Sequence, residues 1–191
     1  KKRITVMNRD SRNAIWSLVG NEIYRYSKKN GNVRMIHLPD IRDRFIWTMH
    51  VTSDDRLIIC TNESVYGFDI MYDKQDADKV ILIQNKTLSK DIPVYSVMEI
   101  PERKLVLRTF QGIMTLSEDG VLSSSPDDFY PLFSDPHKNT VLRNSGNKII
   151  LSIDDETIIS CTLPISDESA NIGYVDRDRN IWCITDRFRL Y

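Results

Sequence analysis

One phrase recurs along this chain: a strand, a tight polar turn and a second strand. Its last copy, Asn180 to Tyr191, reads N-I-W-C-I-T-D-R-F-R-L-Y. Four others precede it, at Ala14–Tyr26, Arg56–Phe68, Lys104–Leu116 and Lys148–Cys161. In the first three copies the leading aliphatic (Ile15, Leu57, Leu105) stands eight residues before the second-strand aliphatic (Ile23, Val65, Ile113), and the last two copies need one more residue in the turn. Starting points step by 42, 48, 44 and 32 residues. A hairpin repeating every roughly forty residues is the signature of a β-propeller blade. The five hairpins are therefore expected to be equivalent second and third strands, with Ile15, Leu57, Leu105, Ile149 and Ile181 at matching buried positions.

Taken in order, the pattern predicts an all-β chain, a β-propeller of four to five blades of antiparallel strands, with blades near 4–38, 45–83, 94–133, 140–163 and 171–191. Turn formers separate the strands, as in Asn8–Asn13 and Ser27–Asn32. The apolar runs Leu57–Cys60 and Val80–Ile83 predict strands covered on both faces rather than one. The third blade's outer strand is expected at Val121–Ser123 or in the Phe129–Phe133 region. The fourth blade's three strands are expected at Thr140–Arg143, Ile149–Ile153 and Thr157–Leu163, with its outer strand short or missing. Strand counting leaves no spare strand to close a ring. Lys1 reads as a cut inside a longer protein, so the expectation is an open segment of a larger, seven-bladed propeller whose bare end faces drive homo-oligomer formation.

A net charge of −1 gives no field for nucleic acid. No apolar run reaches the length of about 18 residues that a membrane-spanning helix needs. Cys60, Cys161 and Cys183 lie in apolar strand runs without C-x-x-C spacing, which predicts buried free thiols.

Several short motifs carry a family resemblance. Asp176, Asn180-Ile181-Trp182 and Thr185 followed by Leu190-Tyr191 form one copy. Asn13, Ile15-Trp16 and Ile23-Tyr24-Arg25-Tyr26 form another, and Leu38-Pro39-Asp40 leads through Phe45–Val51 to Asp54-Asp55. These repeats resemble the propeller repeats of two-component regulators, found in the sensor regions of bacterial hybrid histidine kinases. The family glycine before the threonine is replaced by Leu18, Cys60, Arg108 and Ile184, and the threonine itself stands at Thr61, Thr109 and Thr185. The resemblance implies a periplasmic sensor region of an inner-membrane protein, placed before a membrane span and a cytoplasmic kinase, with carbohydrate fragments as the signal.

Catalytic and metal patterns are weaker. Asp176-Arg177-Asp178-Arg179-Asn180 opens like a calcium loop, yet Ile181 and Arg187 occupy the places of its glycine and its bidentate glutamate, so a turn is expected. The pairs Asp54-Asp55, Asp127-Asp128 and Asp154-Asp155 are glycosidase candidates by type but sit in predicted turns. His37, His50 and His137 lack ligand spacing. No metal, cofactor or catalytic residue is assigned, and the segment is expected not to be an enzyme. Trp16 and Trp182 are expected to wedge between blades, and Trp47, with Phe45 and Met49 on its face, to lie in the core. Turns joining second to third strands should share a face with the connections between blades. That face carries Arg42, Arg44, Asn62, Gln111 and Arg187 as ligand-binding candidates, with Asp40, Asp43, Glu63 and Asp186 nearby. The expected function is extracytoplasmic ligand sensing in a hybrid two-component system, with an oligosaccharide ligand and the remaining blades of the same sensor as partners. The alternatives are a propeller scaffold for protein partners and, further off, a propeller glycosidase or lyase.

Overall fold

The computed structural model describes residues 3–38, 41, 45–76, 78–117, 121–124, 131–145, 147–164, 169–176 and 178–191. Among them the only helical pieces are two single 3-10 turns, Pro101–Arg103 and Pro136–Lys138. Four sheets hold four strands each, antiparallel and in sequence order. They are β1 (Ile4–Arg9) to β4 (Val33–Ile36) through β2 (Ile15–Val19) and β3 (Glu22–Tyr26), then β5 (Ile46–Val51), β6 (Arg56–Thr61), β7 (Ser64–Tyr72) and β8 (Val80–Lys90). The third has β9 (Val94–Ile100), β10 (Lys104–Thr109), β11 (Gly112–Leu116) and β12 (Leu122–Ser124). The fourth has β13 (Pro131–Asp135), β14 (Thr140–Ser145), β15 (Lys148–Ile153) and β16 (Glu156–Thr162). A fifth sheet pairs β17 (Ala170–Val175) with β18 (Ile181–Thr185), and Leu190 bridges to Ile184. Each four-stranded sheet has the form of a propeller blade.

Two local devices repeat. The first is a left-handed residue just before each second strand: Asn13 (φ 65°), Asp55 (φ 60°), Arg103 (φ 56°), Asn139 (φ 46°) and Arg179 (φ 64°). The amides of Asn13, Asp55, Asn139 and Arg179 donate to the carbonyls three residues earlier. Asn and Asp tolerate this conformation because their short polar side chains bond locally. The second is a one-residue bulge near the start of the first strand, at Thr5, Trp47, Leu132 and Asn171.

The left-handed turns correct one expectation. They align Ile15, Leu57, Leu105, Val141 and Ile181, so Ile149 lies on a third strand and the hairpin Lys148–Cys161 joins third to fourth strands. Pro131–Asp135, within the region considered for the third sheet's outer strand, pairs instead with β14, while Leu122–Ser124 supplies that outer strand. The fourth sheet has a full outer strand, β16. Phe129, Asp127 and Asp128 lie outside the described residues. Trp-less copies hid this shift: an apolar run, Ile149–Leu151, follows whichever strand is central.

The chain divides into two compact units, residues 1–97 with 108–111, and residues 98–107 with 112–191. In the first unit Trp16, Leu18 and Ile23 of the first sheet pack on Leu57, Ile59, Tyr66 and Phe68 of the second. Leu57, Ile58, Ile59 and Cys60 are all 0% exposed, as a strand covered on both faces requires. The outer run does not follow: Ile81 and Ile83 are exposed while Val80 and Leu82 pack on the core, so this strand is covered on one face only. The joint is closed at its polar end by Asp10. Its carboxylate accepts hydrogen bonds from the Ala14 amide (2.8 Å), Trp16 Nε1 (2.9 Å) and Arg25 Nε (2.8 Å), and both Asp10 and Arg25 are buried. Arg12 stacks on the Tyr72 ring at 4.0 Å, and burial, with Asp10 and Asp55 nearby, raises the Tyr72 phenol.

Burial pushes the imidazole of His50, on β5, down to about 4 from 6.5. The unfolded chain therefore binds the extra proton between those values, and stability falls as pH drops through that window. The expected loss is roughly 2–3 kcal/mol between pH 7 and pH 4 from this residue. His50→Gln should flatten that part of the pH profile in urea titrations; an unchanged profile would contradict the assignment.

In the second unit Leu142, Ile149 and Leu151 of the fourth sheet pack on Ala170 and Cys183 of the fifth. Gly173 lets the sheets approach: a Cβ there would lie 2.6 Å from Leu142 Cδ2 and 2.8 Å from Leu132 Cβ. Gly173→Ala is expected to destabilise this unit by about 1–3 kcal/mol, read by chemical denaturation; an unaltered midpoint would show that the two sheets stand apart. All three cysteines are free, and Cys60 and Cys183 are buried as expected. Cys161 is exposed instead, because it lies on the outer strand β16 rather than on a third strand. Burial, with Cys161 close by, pushes the Cys183 thiol up to about 11, so it is no nucleophile at neutral pH.

Candidate functional site: an aromatic shelf on the second-to-third strand turns

Asn62 and Gln111 occupy the β6–β7 and β10–β11 turns of the first unit, both exposed. A threonine organises each turn. Thr61 Oγ1 accepts from the amides of Glu63 (3.2 Å) and Ser64 (3.0 Å), and Thr109 Oγ1 accepts from the Gln111 amide (3.1 Å). Thr185 Oγ1 accepts from the Arg189 amide at 3.3 Å in the second unit. The recurring threonine is thus a turn cap, which holds the next residues outward. Asn62 N donates to Phe45 O (3.3 Å), and Ile46 N to Asn21 Oδ1 (2.7 Å), so the second-to-third turns do lie beside the entry to β5. Arg187 follows β18 in the second unit and is exposed. Arg42 and Arg44, with Asp40 and Asp43, lie outside the described residues.

Beside Asn62 and Gln111 the first unit presents aromatic rings that the polar candidates alone did not reveal. Phe45 is 59% exposed and Phe110 73%. The Trp47 and Phe110 rings meet edge to face at 5.6 Å, and Tyr95 lies 5.3 Å from Phe110. Simple alternation puts Trp47 in the core on the face of Phe45 and Met49. The bulge at Trp47 breaks that alternation: Met49 is buried at 1%, whereas Trp47 turns towards the exposed Phe110. The signal available in the sequence was Phe110-Gln111, an aromatic at a turn where nothing in the hairpin needs one. Such a shelf offers π faces to apolar C–H surfaces and, at Asn62 and Gln111, planar amides to hydroxyls.

The expected turn and wedge roles divide. Asp176 Oδ1 accepts from the amides of Asp178 (2.9 Å) and Asn180 (2.8 Å), while Oδ2 accepts from Trp182 Nε1 (3.0 Å), so this segment is a turn. The Trp182 indole and then Asn180 hold the Asp176 carboxyl below its ordinary range. Trp16 is wholly buried between sheets; Trp182 is exposed on the outer side of the fifth. Asp154 (φ 49°) and Asp155 (φ 64°) form the two-residue β15–β16 turn, and Asp54 takes the Thr52 hydroxyl (2.6 Å) and Arg56 Nε (3.1 Å). Among the described residues no cluster of three or more His, Cys, Asp or Glu is arranged to hold a metal, and no helix is long and apolar enough to cross a membrane.

No protein-family model matches the chain, and no curated protein matches it. Solved structures do. Virginiamycin B lyase from Staphylococcus aureus aligns with a TM-score of 0.59 at 16% identity, over 100% of this chain and 69% of that one. The structure described as the extracellular domain of a hybrid two-component system from B. thetaiotaomicron aligns at 0.54 and 15%, over 98% of this chain and 26% of that one. PorZ, a surface component of the type-IX secretion system of Porphyromonas gingivalis, aligns at 0.57 and 11%, over 98% and 31%. At these identities the likeness speaks for architecture, and with the four in-order antiparallel sheets it shows that this chain has the β-propeller fold.

Proposed function

We propose that the chain is a ligand-sensing propeller segment of an extracytoplasmic sensor in a hybrid two-component system, acting in the periplasm by binding carbohydrate fragments without turning them over. The observation that carries the reading is the shelf of Trp47, Tyr95 and Phe110 next to Gln111, with the exposed Phe45 joined by its carbonyl to the Asn62 amide. Pyranose rings present C–H faces that stack on aromatics and equatorial hydroxyls that bond planar amides. The likeness to the B. thetaiotaomicron domain supports the reading at the level of fold. Signalling would follow from the ligand's differing affinity for two arrangements of the sensor, relayed to a kinase carried elsewhere in the full protein.

The test is calorimetry of the chain against a panel of oligosaccharides, with Trp47 fluorescence as a second readout. A binder should lose about tenfold in affinity on Phe110→Ala. Saccharides that bind no tighter than glycerol, or a binder indifferent to Phe110→Ala, would argue instead for the protein scaffold. Product appearing on incubation would argue for a glycosidase or lyase. The reading includes association: Met7, Val33 and Met35 on the first sheet and Ile172, Tyr174 and Trp182 on the fifth are exposed apolar faces. Light scattering on the isolated chain should report a dimer or larger species; a monomer at micromolar concentration would contradict that.

A further inference from the structure

The joint between the third and fourth sheets, inside the second unit, is built unlike the joint between the first and second. The left-handed residues Asp55 and Asn139 mark matching places, so Val141 and Arg143 stand where Leu57 and Ile59 stand. Strand pairing sets Phe68 opposite Leu57, and Ser152 opposite Val141. Where one joint is filled by Ile59 and Phe68, each 0% exposed, the other carries a guanidinium and a hydroxyl. What remains is a cavity of about 530 Å³. Ser152 is among the residues that line it, and its Oγ, buried behind the wall, has no hydrogen-bond partner among the described residues. A buried hydroxyl without a partner is costly and calls for one, and a molecule in the adjoining cavity would supply it. A bulge in β16 adjoins it, since Leu151 pairs with Ile159 but Ser152 with Thr157.

The lining is graded by depth. Ser152 is buried, and Lys104 and Arg143 are half-buried, whereas Glu102, Asp154 and Asp155 are exposed at the mouth. Lys104 Nζ lies 2.5 Å from the Glu102 carboxylate. The Arg143 guanidinium and the serine therefore lie inward, and the Lys104–Glu102 pair and the two aspartates outward. Asp154 and Asp155 stand exposed in the two-residue turn at the mouth, whose left-handed backbone suits Asp at both places, and Asp154 Oδ1 also accepts from Asn139 Nδ2 at 2.8 Å.

We propose that this cavity binds a small carboxylate whose far end carries hydrogen-bond donors, the carboxylate meeting Arg143 and Ser152 and the donors meeting Asp154 and Asp155. Guanidinium planes match carboxylates in geometry as well as charge, and the serine hydroxyl completes the cradle. Sugar acids, with hydroxyls, and α-amino acids, with an ammonium, share this chemistry. The site lies at the strand ends opposite to the second-to-third turns and stands independently of the aromatic shelf.

Calorimetry and thermal melts of the whole chain with sodium glucuronate, L-alanine, glucose and sodium acetate, at one ionic strength, test it. Glucuronate or alanine should bind and raise the melting temperature; glucose and acetate, each lacking one end, should bind at least tenfold more weakly. Whichever of the first two binds identifies the source. Ser152→Ala should weaken binding roughly tenfold, and Arg143→Gln at least as much. Ser152→Phe, which installs the residue found in the other joint, should abolish binding while a cooperative melt persists. Should that variant fail to fold, Ser152→Ala decides alone. No binding by either carboxylate at about 10 mM, equal binding of glucose, or binding that Ser152→Ala leaves unchanged would overturn the proposal.

Discussion

Asp10→Ala is expected to destabilise the first unit by about 3–5 kcal/mol, the cost of leaving a buried charge without its partner. Arg25 is 3% exposed and its Nε lies 2.8 Å from Asp10, so removing the carboxylate takes the paired charge from a buried guanidinium that keeps the Asp78 carbonyl at 3.5 Å. The Ala14 amide and the Trp16 indole lose their acceptor in the same step. Asp176→Ala is the built-in control. It removes the same turn cap and the same indole contact, but Trp182 is exposed and water replaces both bonds. Its effect on stability should be a small fraction of the first. Equal effects from the two substitutions, measured by chemical denaturation, would show that burial of the ion pair is not what matters. Asp10→Asn, which keeps the shape and loses the charge, should fall between.

Phe68→Ala is expected to cost about 3–5 kcal/mol, through lost burial and the cavity left behind. Phe68 is 0% exposed in the cluster with Leu57, Ile59 and Trp16, and its neighbours are fixed by strand pairing on either side. Ser152→Ala, at the matching position of the fourth sheet, should cost little or even stabilise, because it removes an unpartnered hydroxyl. The contrast separates a joint built as core from one built as cavity. Comparable losses at both positions would contradict the matching of the two sheets.

Much of this architecture was legible in the residues. Gly20-Asn21 and Asn62-Glu63 sit at turns, and the continuous Leu57–Cys60 run reports a strand covered on both faces. In the fourth sheet the repeat pattern points one strand late. Val141 and Ile149 are both aliphatic and both start apolar runs, and only the left-handed residue Asn139, preceded by Pro136, distinguishes the second strand from the third. Proline at 131 also disguised β13, although a first residue of an edge strand is where proline is tolerated. Of the candidate site, Asn62 and Gln111 were found as exposed turn residues. The shelf beside them was not, because its key ring is turned outward by a bulge at Trp47. A bulge is set by pairing with β6, and no local residue pattern announces it. The cavity was equally hidden: Arg143 and Ser152 look like ordinary strand polar residues until the repeat is aligned by its turns.

The assignment of faces, joints and cavity depends on Pro131–Asp135 being the first strand of the fourth sheet. Cross-strand Hα–Hα contacts measured by NMR on the chain test this directly. Contacts are predicted between Ser134 or its neighbours and Val141 or its neighbours, with the Thr140–Ser145 strand also meeting Lys148–Ile153. Contacts from Pro131–Asp135 to Gly112–Leu116, in place of those to Thr140–Ser145, would return that strand to the third sheet and contradict the account.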